Sequence, residues 1–461
     1  MSNGKKIYEI TDTATSFAAD DYIAVAGETN GTRKILRTAV DVTSHNDDAA
    51  AHGMSFTRFP PMRSADAVVP LKTFEVLADW RAYSNCTKST SSSAGAAYSL
   101  TAAGPAGVTF TMAGTATELQ GFSQNAFSPA LNLAGKNLEI RYRIEPGTGT
   151  SDPSQITGIK FVLMDAALKR REFDLVPYSW RHGINKLRIS QEYPGYDSGI
   201  DLTAVTNFRV HLFTSTSTAT CAITMLSLSE ITPLDVPIVC VTFDDTFVKQ
   251  KAAAAIAASY GIPITAFITV DWVGNQNKLT VADLKEMRDA GHLIANHSVT
   301  HPMPWSSQTL ETRLAEIEGC RKWLCANGMP EGSRIFASPG GHCDITDEQY
   351  IIGKVVDLFR GTRNWPKGGT EQCPLVDRTI GLPVSCWDGA QSQAATVAKL
   401  TAELAACQTW GTASIELYHT FDVTGYLTLA EFKTHMAEIA AARDAGSIRV
   451  LRFDELLGKV E

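Results

Sequence analysis

Ile238-Val239-Cys240-Val241-Thr242-Phe243-Asp244-Asp245 opens the C-terminal half of the chain and sets its architecture. Its first six residues are all apolar or β-branched, the mark of a strand buried on both faces, as in a parallel sheet. Pro233 and Pro237 stand just before it. Downstream, an alanine-rich helix is predicted over 249–259, ending at Gly261, then a strand at Ile264–Ile268. A helix over 280–290 stops at Gly291, and the strand His292–Asn296 leads into His297. A helix over 309–327, a strand at Arg334–Ala337, an apolar run at Val355–Phe359 and a strand at Ala413–Tyr418 continue the pattern. Strict alternation of strand and helix predicts an α/β domain with parallel strands, over residues 236–461.

Upstream the texture differs. Residues 62–232 are rich in Ser, Thr and Gly and carry short period-two runs: Val108–Met112, Leu138–Tyr142 and Phe208–Phe213. Such runs between Gly, Pro and Asn clusters predict a β-sandwich. Residues 1–58 are polar and rich in Asp, Thr and Ala, and Pro60-Pro61 reads as a linker or rigid turn. The expected architecture is therefore multidomain, and 461 residues is about three domains of ordinary size.

Composition narrows the function classes. With 41 Lys and Arg against 49 Asp and Glu, the net charge of −8 argues against nucleic acid or an anionic membrane as the main partner. No run of 18 apolar residues suggests membrane insertion. The start, Met1-Ser2-Asn3-Gly4-Lys5-Lys6, lacks the apolar stretch of a signal peptide. Nine cysteines, an odd number with no Cys-x-x-Cys pair, predict free thiols and synthesis in a reducing cytoplasm.

Polar residues gather at the predicted strand ends, the active face of a parallel α/β layout. Asp244-Asp245 follow the first strand, His297 and His301 the third, Ser338-Pro339-Gly340-Gly341 the fourth, and His419 the strand Ala413–Tyr418. Singly these are weak signals: Asp-Asp is usually a turn or cap, and histidines four apart are common on surfaces. In this order, each at a strand end, they point to one site. A carboxylate with two imidazoles is a familiar ligand set for Zn²⁺ or a similar ion with a position left open. Zn²⁺, Co²⁺, Ni²⁺ and Mn²⁺ all fit such donors, Zn²⁺ best. Neighbouring strand residues alternate in direction, so one Asp can ligate while the other acts as general base.

These motifs, Thr242-Phe243-Asp244-Asp245, His297-Ser298-Val299-Thr300-His301, Phe336-Ala337-Ser338-Pro339-Gly340-Gly341 and Leu417-Tyr418-His419, resemble those of the NodB-type polysaccharide deacetylases, metal-dependent carbohydrate esterases. Ser447–Phe453 resembles that family's last strand and helix. The resemblance implies a distorted (β/α) barrel with fewer than eight full units. It implies Asp244 as general base, Asp245, His297 and His301 as ligands of one divalent metal, and His419 as general acid. The Ser338–Gly341 loop would bind substrate and donate a backbone N–H to the oxyanion. The chain departs from the family at Ala337, where many members carry an Arg that pairs with the catalytic Asp. In Arg360-Gly361-Thr362-Arg363-Asn364-Trp365, Arg363 is expected to do part of that Arg's work and Trp365 to line the substrate site.

Ile10–Phe17, Asp20–Val25 and Asn30–Ile35 resemble the N-terminal segment of bacteriophage tail fibres and tailspikes. Read from residues alone, that segment is a hairpin turning at Asn30-Gly31. The resemblance implies docking of residues 1–58 onto a phage tail or baseplate and a homotrimer. The protein would be made in the host cytoplasm, released by lysis and active at the bacterial surface. The middle zone resembles concanavalin-like or carbohydrate-binding sandwiches, with Trp80, Tyr83, Tyr178, Trp180, Tyr193 and Tyr196 as sugar-stacking residues or as core or trimer-contact residues. The function expected is removal of acetyl groups from a bacterial surface polysaccharide, capsule or O-antigen. The alternatives are a peptidoglycan- or chitin-type deacetylase and a catalytically weak glycan-binding receptor protein.

Overall fold

The computed structural model describes residues 22–27, 31–36 and 68–457, except 84, 92–106, 114–119, 145–155, 176–182, 190–195, 216–219, 232, 342, 344–346, 348–349, 362–385 and 388–395. The chain divides into two compact units, Met62–Leu457 and Met1–Pro61 with Gly458–Glu461. In the smaller unit, Tyr22–Gly27 pairs antiparallel with Gly31–Leu36. The hairpin expected there is present, but Gly31 pairs with Gly27 inside the second strand rather than sitting in the turn.

Among the described residues the larger unit holds two large hydrophobic cores and a smaller cluster around Trp305, Phe336 and Phe359. The first lies between two antiparallel sheets. One sheet runs in the order Tyr196–Asp197, Arg170–Leu175, Ile156–Asp165, Val205–Thr214, Gln120–Leu131 and Trp80–Tyr83. The other runs Gly183–Ile189, Asn137–Ile144, Thr220–Ile231, Gly107–Ala113 and Cys86–Ser91, with Val68–Thr73 paired to Thr220–Ile231. Period-two patterning is kept: Phe208, Val210 and Leu212 point inward and are buried, while Arg209, His211 and Phe213 between them are half-buried. Trp80 stacks among Phe74, Phe110 and Phe208 at 1% exposure, so it is a core residue and not a sugar platform. Tyr83 is half-buried and Tyr196 exposed, each under an Arg; Tyr178, Trp180 and Tyr193 lie outside the described residues.

The second core belongs to a parallel sheet, and its elements are numbered here. The strands are β1 Ile238–Phe243, β2 Ile264–Ile268, β3 Leu293–Asn296, β4 Gly332–Ala337, β5 Leu358–Arg360, β6 Cys386–Trp387, β7 Ala413–Tyr418 and β8 Arg449–Val450. The helices are α1 Lys249–Ser259, α2 Val281–Asp289, α3 Leu310–Ala326, α4 Val397–Trp410 and α5 Leu429–Asp444. The order is β5-β4-β3-β2-β1-β7-β6, with β8 beside the start of β1, and every pairing is parallel. The result is a curled half-barrel of parallel strands. All six residues of β1 and of β7 are buried, as expected for strands packed on both faces. Thr280 with Asp283, and Thr428 with Glu431, form capping boxes that fix the starts of α2 and α5. Gly411 closes α4 at φ 59°, and a Cβ there would meet Leu234 O at 2.7 Å, where the chain enters the sheet.

Among the described residues, no helix is long and apolar enough to cross a membrane. No disulfide joins any two of the seven cysteines whose side chains are described.

Candidate functional site

Four strand ends build the site. Asp244 and Asp245 follow β1, and Asp244 N–H donates to Tyr418 O at 2.9 Å, which places the aspartates beside the end of β7. His419 follows there, half-buried, and Gln250 from α1 donates to the carbonyls of both Asp244 and His419, to the latter at 2.7 Å. His297 and His301 come from the turn after β3, and Ser338–Gly341 from the turn after β4.

Asp245, His297 and His301 converge. Asp245 Oδ1 lies 3.4 Å from His297 Nε2 and 3.4 Å from His301 Nε2. This oxygen is buried and, among the described residues, has no hydrogen-bond partner. Two ligands about 2.05 Å from a tetrahedral ion stand about 3.3 Å apart, so these separations suit a shared cation. The ligand atoms of the three residues lie within 4.8 Å of one another. His297 Nδ1 sits 2.8 Å from Ala337 O; a carbonyl only accepts, so that nitrogen carries the proton and Nε2 keeps its lone pair for the site. Burial, then the neighbouring His297, push the His301 pKa down to about 4, which keeps it in the neutral, ligating form. Burial alone would raise the Asp245 pKa; the nearby His297, His419 and His301 hold it well below the usual carboxylate range. The buried Asp245 oxygen and the two imidazole Nε2 atoms fit a divalent cation.

Backbone strain is concentrated here. Among the described residues, eight non-glycine residues have positive φ, and four are Asp245 (72°), Thr246 (60°), Ser298 (74°) and His301 (60°). Each such residue costs on the order of 1–3 kcal/mol and persists only where its surroundings over-determine it.

Asp244 is 1% exposed. Its Oδ2 accepts from Arg360 Nη2, and among the described residues its Oδ1 has no hydrogen-bond partner. Arg360 is fully buried, donates from Nη1 to Thr242 Oγ1 at 2.8 Å and lies 4.7 Å from the Phe267 ring centroid. Arg360 is the last residue of β5 and pairs in register with Ala337. The guanidinium missing at Ala337 thus arrives from the adjacent strand. Arg363 and Trp365, expected to act here, lie outside the described residues. Sequence reading placed Arg360 after its strand; the run 355–359 instead gives Val355 and Val356 to a turn around Ile351, and β5 starts at Leu358. That shift aims Arg360 into the sheet.

In the Ser338–Gly341 loop, Ser338 N–H donates to Arg360 O at 3.1 Å, Gly341 N–H donates to Ser338 O at 2.9 Å, and Pro339 has no N–H. Among the described residues no backbone acceptor pairs with the N–H of Gly340, at φ 63°, so that N–H can be offered to a ligand.

The polysaccharide deacetylase family model matches residues 232–350. No curated protein matches the chain. Solved structures similar to it include the carbohydrate esterase domain of a multidomain xylanase from the hindgut metagenome of Trinervitermes trinervoides, 16% identical, covering 49% of this chain and 95% of that one, with a TM-score of 0.34. The chitin deacetylase of the fungal pathogen Colletotrichum lindemuthianum is 16% identical, covering 50% of this chain and 92% of that one, TM-score 0.35. A family 11 carbohydrate-binding module from Clostridium thermocellum is 12% identical, covering 36% of this chain and 95% of that one, TM-score 0.25. The matched segment holds Asp244, Asp245, His297, His301 and the Ser338–Gly341 loop, while Arg360 and His419 join them from later strands of the same sheet. Residues 232–350 therefore carry a polysaccharide deacetylase domain.

Proposed function

We propose that the protein hydrolyses acetyl groups from a bacterial surface polysaccharide at the Asp244–His419 site. The observation that carries this reading is the pairing of two unlike aspartates: Asp245 turned to two imidazoles, Asp244 held by a buried Arg. A divalent cation held by Asp245, His297 and His301 would supply Lewis-acid stabilisation of negative charge on oxygen. Zn²⁺ suits the donor set best. Asp244, its Oδ2 fixed by Arg360, takes the proton of the attacking water at its unpartnered Oδ1. The water oxygen bonds to the acetyl carbon, and Gly340 N–H donates to the carbonyl oxygen as it gains charge. His419, on the adjoining strand end, gives its proton to the sugar oxygen or nitrogen as the acyl bond breaks, releasing acetate.

The wider setting is part of the same proposal. The resemblance of residues 10–35 to tail-fibre segments supports attachment of residues 1–58 to a phage tail, a homotrimer, synthesis in a host cell, release by lysis and action at the bacterial surface. The sheets of residues 62–232 would add grip on the polymer. Acetylated capsule and O-antigen preparations, assayed beside N-acetylglucosamine oligomers for released acetate, test the substrate class. Turnover of the oligomers alone would replace the surface-polysaccharide reading with a chitin- or peptidoglycan-type one.

A further inference from the structure

Two strained turns supply the candidate ligands, and one loop ties them together. Residues 269–279, between β2 and α2, start on the His297–His301 turn: Val270 N–H donates to Ser298 O at 3.2 Å and Asp271 N–H to Val299 O at 3.0 Å. They finish on the Asp245 turn: Leu279 N–H donates to Thr246 O at 2.8 Å, and Lys278 Nζ donates to Asp245 O at 2.7 Å. Thr269 N–H donates to Thr246 Oγ1 at 2.9 Å, closing the circuit.

Trp272 stands at the centre of this loop, half-buried. Its ring lies 4.8 Å from the His301 ring, 31° from parallel. Lys278 Nζ sits 4.1 Å from the Trp272 centroid and 3.6 Å from that of Phe247. The stack therefore runs from the ammonium that holds the Asp245 carbonyl, through the indole, to the His301 imidazole. Neither Trp272 nor Lys278 belongs to the four motifs that mark the deacetylase resemblance.

We infer that Trp272, anchored by Lys278, is a positioning residue for the metal centre, backing the His301 ring and coupling its orientation to that of the Asp245 turn. This rests on the metal reading of Asp245, His297 and His301. His301 holds a positive φ, and its described contacts are the Ser298 Oγ bond to its N–H, the 3.4 Å approach to Asp245 and the rings of His297 and Trp272. With the indole gone, the imidazole has room to turn away from Asp245, and ligand orientation is what such outer partners control.

The test is cobalt titration of the metal-free full-length chain, followed by calorimetry and by the visible spectrum of the cobalt form. Trp272→Ala changes no charge, so its effect on affinity is free of altered Coulomb repulsion. The expected result is about tenfold weaker cobalt binding with an altered spectrum, the loss typical of removing an outer-shell partner. Trp272→Phe, which keeps a ring face, should restore affinity and spectrum. Should Trp272→Ala fail to fold, Trp272→Leu, which keeps apolar bulk without a ring, is read by the same criteria. Parental affinity and spectrum in the ring-less variant overturn the positioning role and leave the metal reading standing. A parent chain that binds no cobalt overturns both.

Discussion

Replacing Arg360 should damage stability and turnover together. The Arg360 guanidinium is fully buried and spans two partners, Asp244 Oδ2 and Thr242 Oγ1, with the Phe267 ring 4.7 Å away. Arg360→Met keeps much of the apolar stem but leaves Asp244 buried with no cation bonded to it. Removing one partner of a buried pair costs about 3–5 kcal/mol. A cation at Asp245, His297 and His301 would offset part of that, so the metal-loaded protein should lose about 3 kcal/mol and the metal-free protein more. Turnover should fall about 10²-fold, as for loss of a general base's orienting partner, or about 2.7 kcal/mol of transition-state stabilisation. Arg360→Lys keeps the charge without the planar fork and should recover stability better than rate. Denaturant unfolding with and without metal, run beside acetate release, reads both quantities. Parental turnover in Arg360→Met, with cobalt binding unchanged, would refute the assignment of Asp244 as the base that Arg360 holds.

Other predictions concern the surrounding fold. Burial would lower the His435 pKa, but the carboxylates of Glu416, 2.9 Å from Nε2, and Glu438, 3.2 Å from Nδ1, outweigh it and raise the pKa above 6.5. A raised folded-state pKa adds stability that is complete below the unfolded value and is lost as pH rises through the folded one. The stability gap between the parent and His435→Gln should therefore be widest at mildly acidic pH and narrow toward alkaline pH in denaturant titrations; a gap constant with pH contradicts the ion pair. Thr280→Ala removes the α2 cap and should cost about 1 kcal/mol in the same assay, with metal affinity unchanged. Deleting residues 1–58 should leave acetate release intact while abolishing incorporation into phage particles, and light scattering of the full chain should give three copies; a strict monomer contradicts the tail-fibre setting.

Much of the parallel domain was legible in the sequence because its strands are buried on both faces. Ile238–Phe243 and Ile264–Ile268 read as continuous apolar or β-branched runs, and the structure keeps those limits as well as those of Ala413–Tyr418. The two aspartates and the His-x-x-x-His pair were legible for the same reason, as ionisable groups stranded at apolar strand ends. Arg360 was not. A strand of three residues carries too little periodicity to fix its register, and the value of Arg360 comes from lying across from Ala337. Trp272 escaped as well: its role depends on stacking with a histidine 29 positions away, which no local pattern encodes. In the sandwich sheets, alternation identified strands but not which aromatics face inward, and Trp80 proved to be core.

Acetate release from an acetylated bacterial polysaccharide reports on metal-dependent deacetylation at Asp244 and the Asp245–His297–His301 trio. The assay compares the parent chain as purified, stripped with chelator, and reloaded with Zn²⁺ or Co²⁺, alongside His301→Ala and Asp244→Asn. The account predicts that release stops on stripping and returns on reloading. It predicts that His301→Ala binds metal far more weakly, and that Asp244→Asn binds metal but turns over at least 10²-fold more slowly. Undiminished release from the stripped parent, or parental rates in Asp244→Asn, would contradict it.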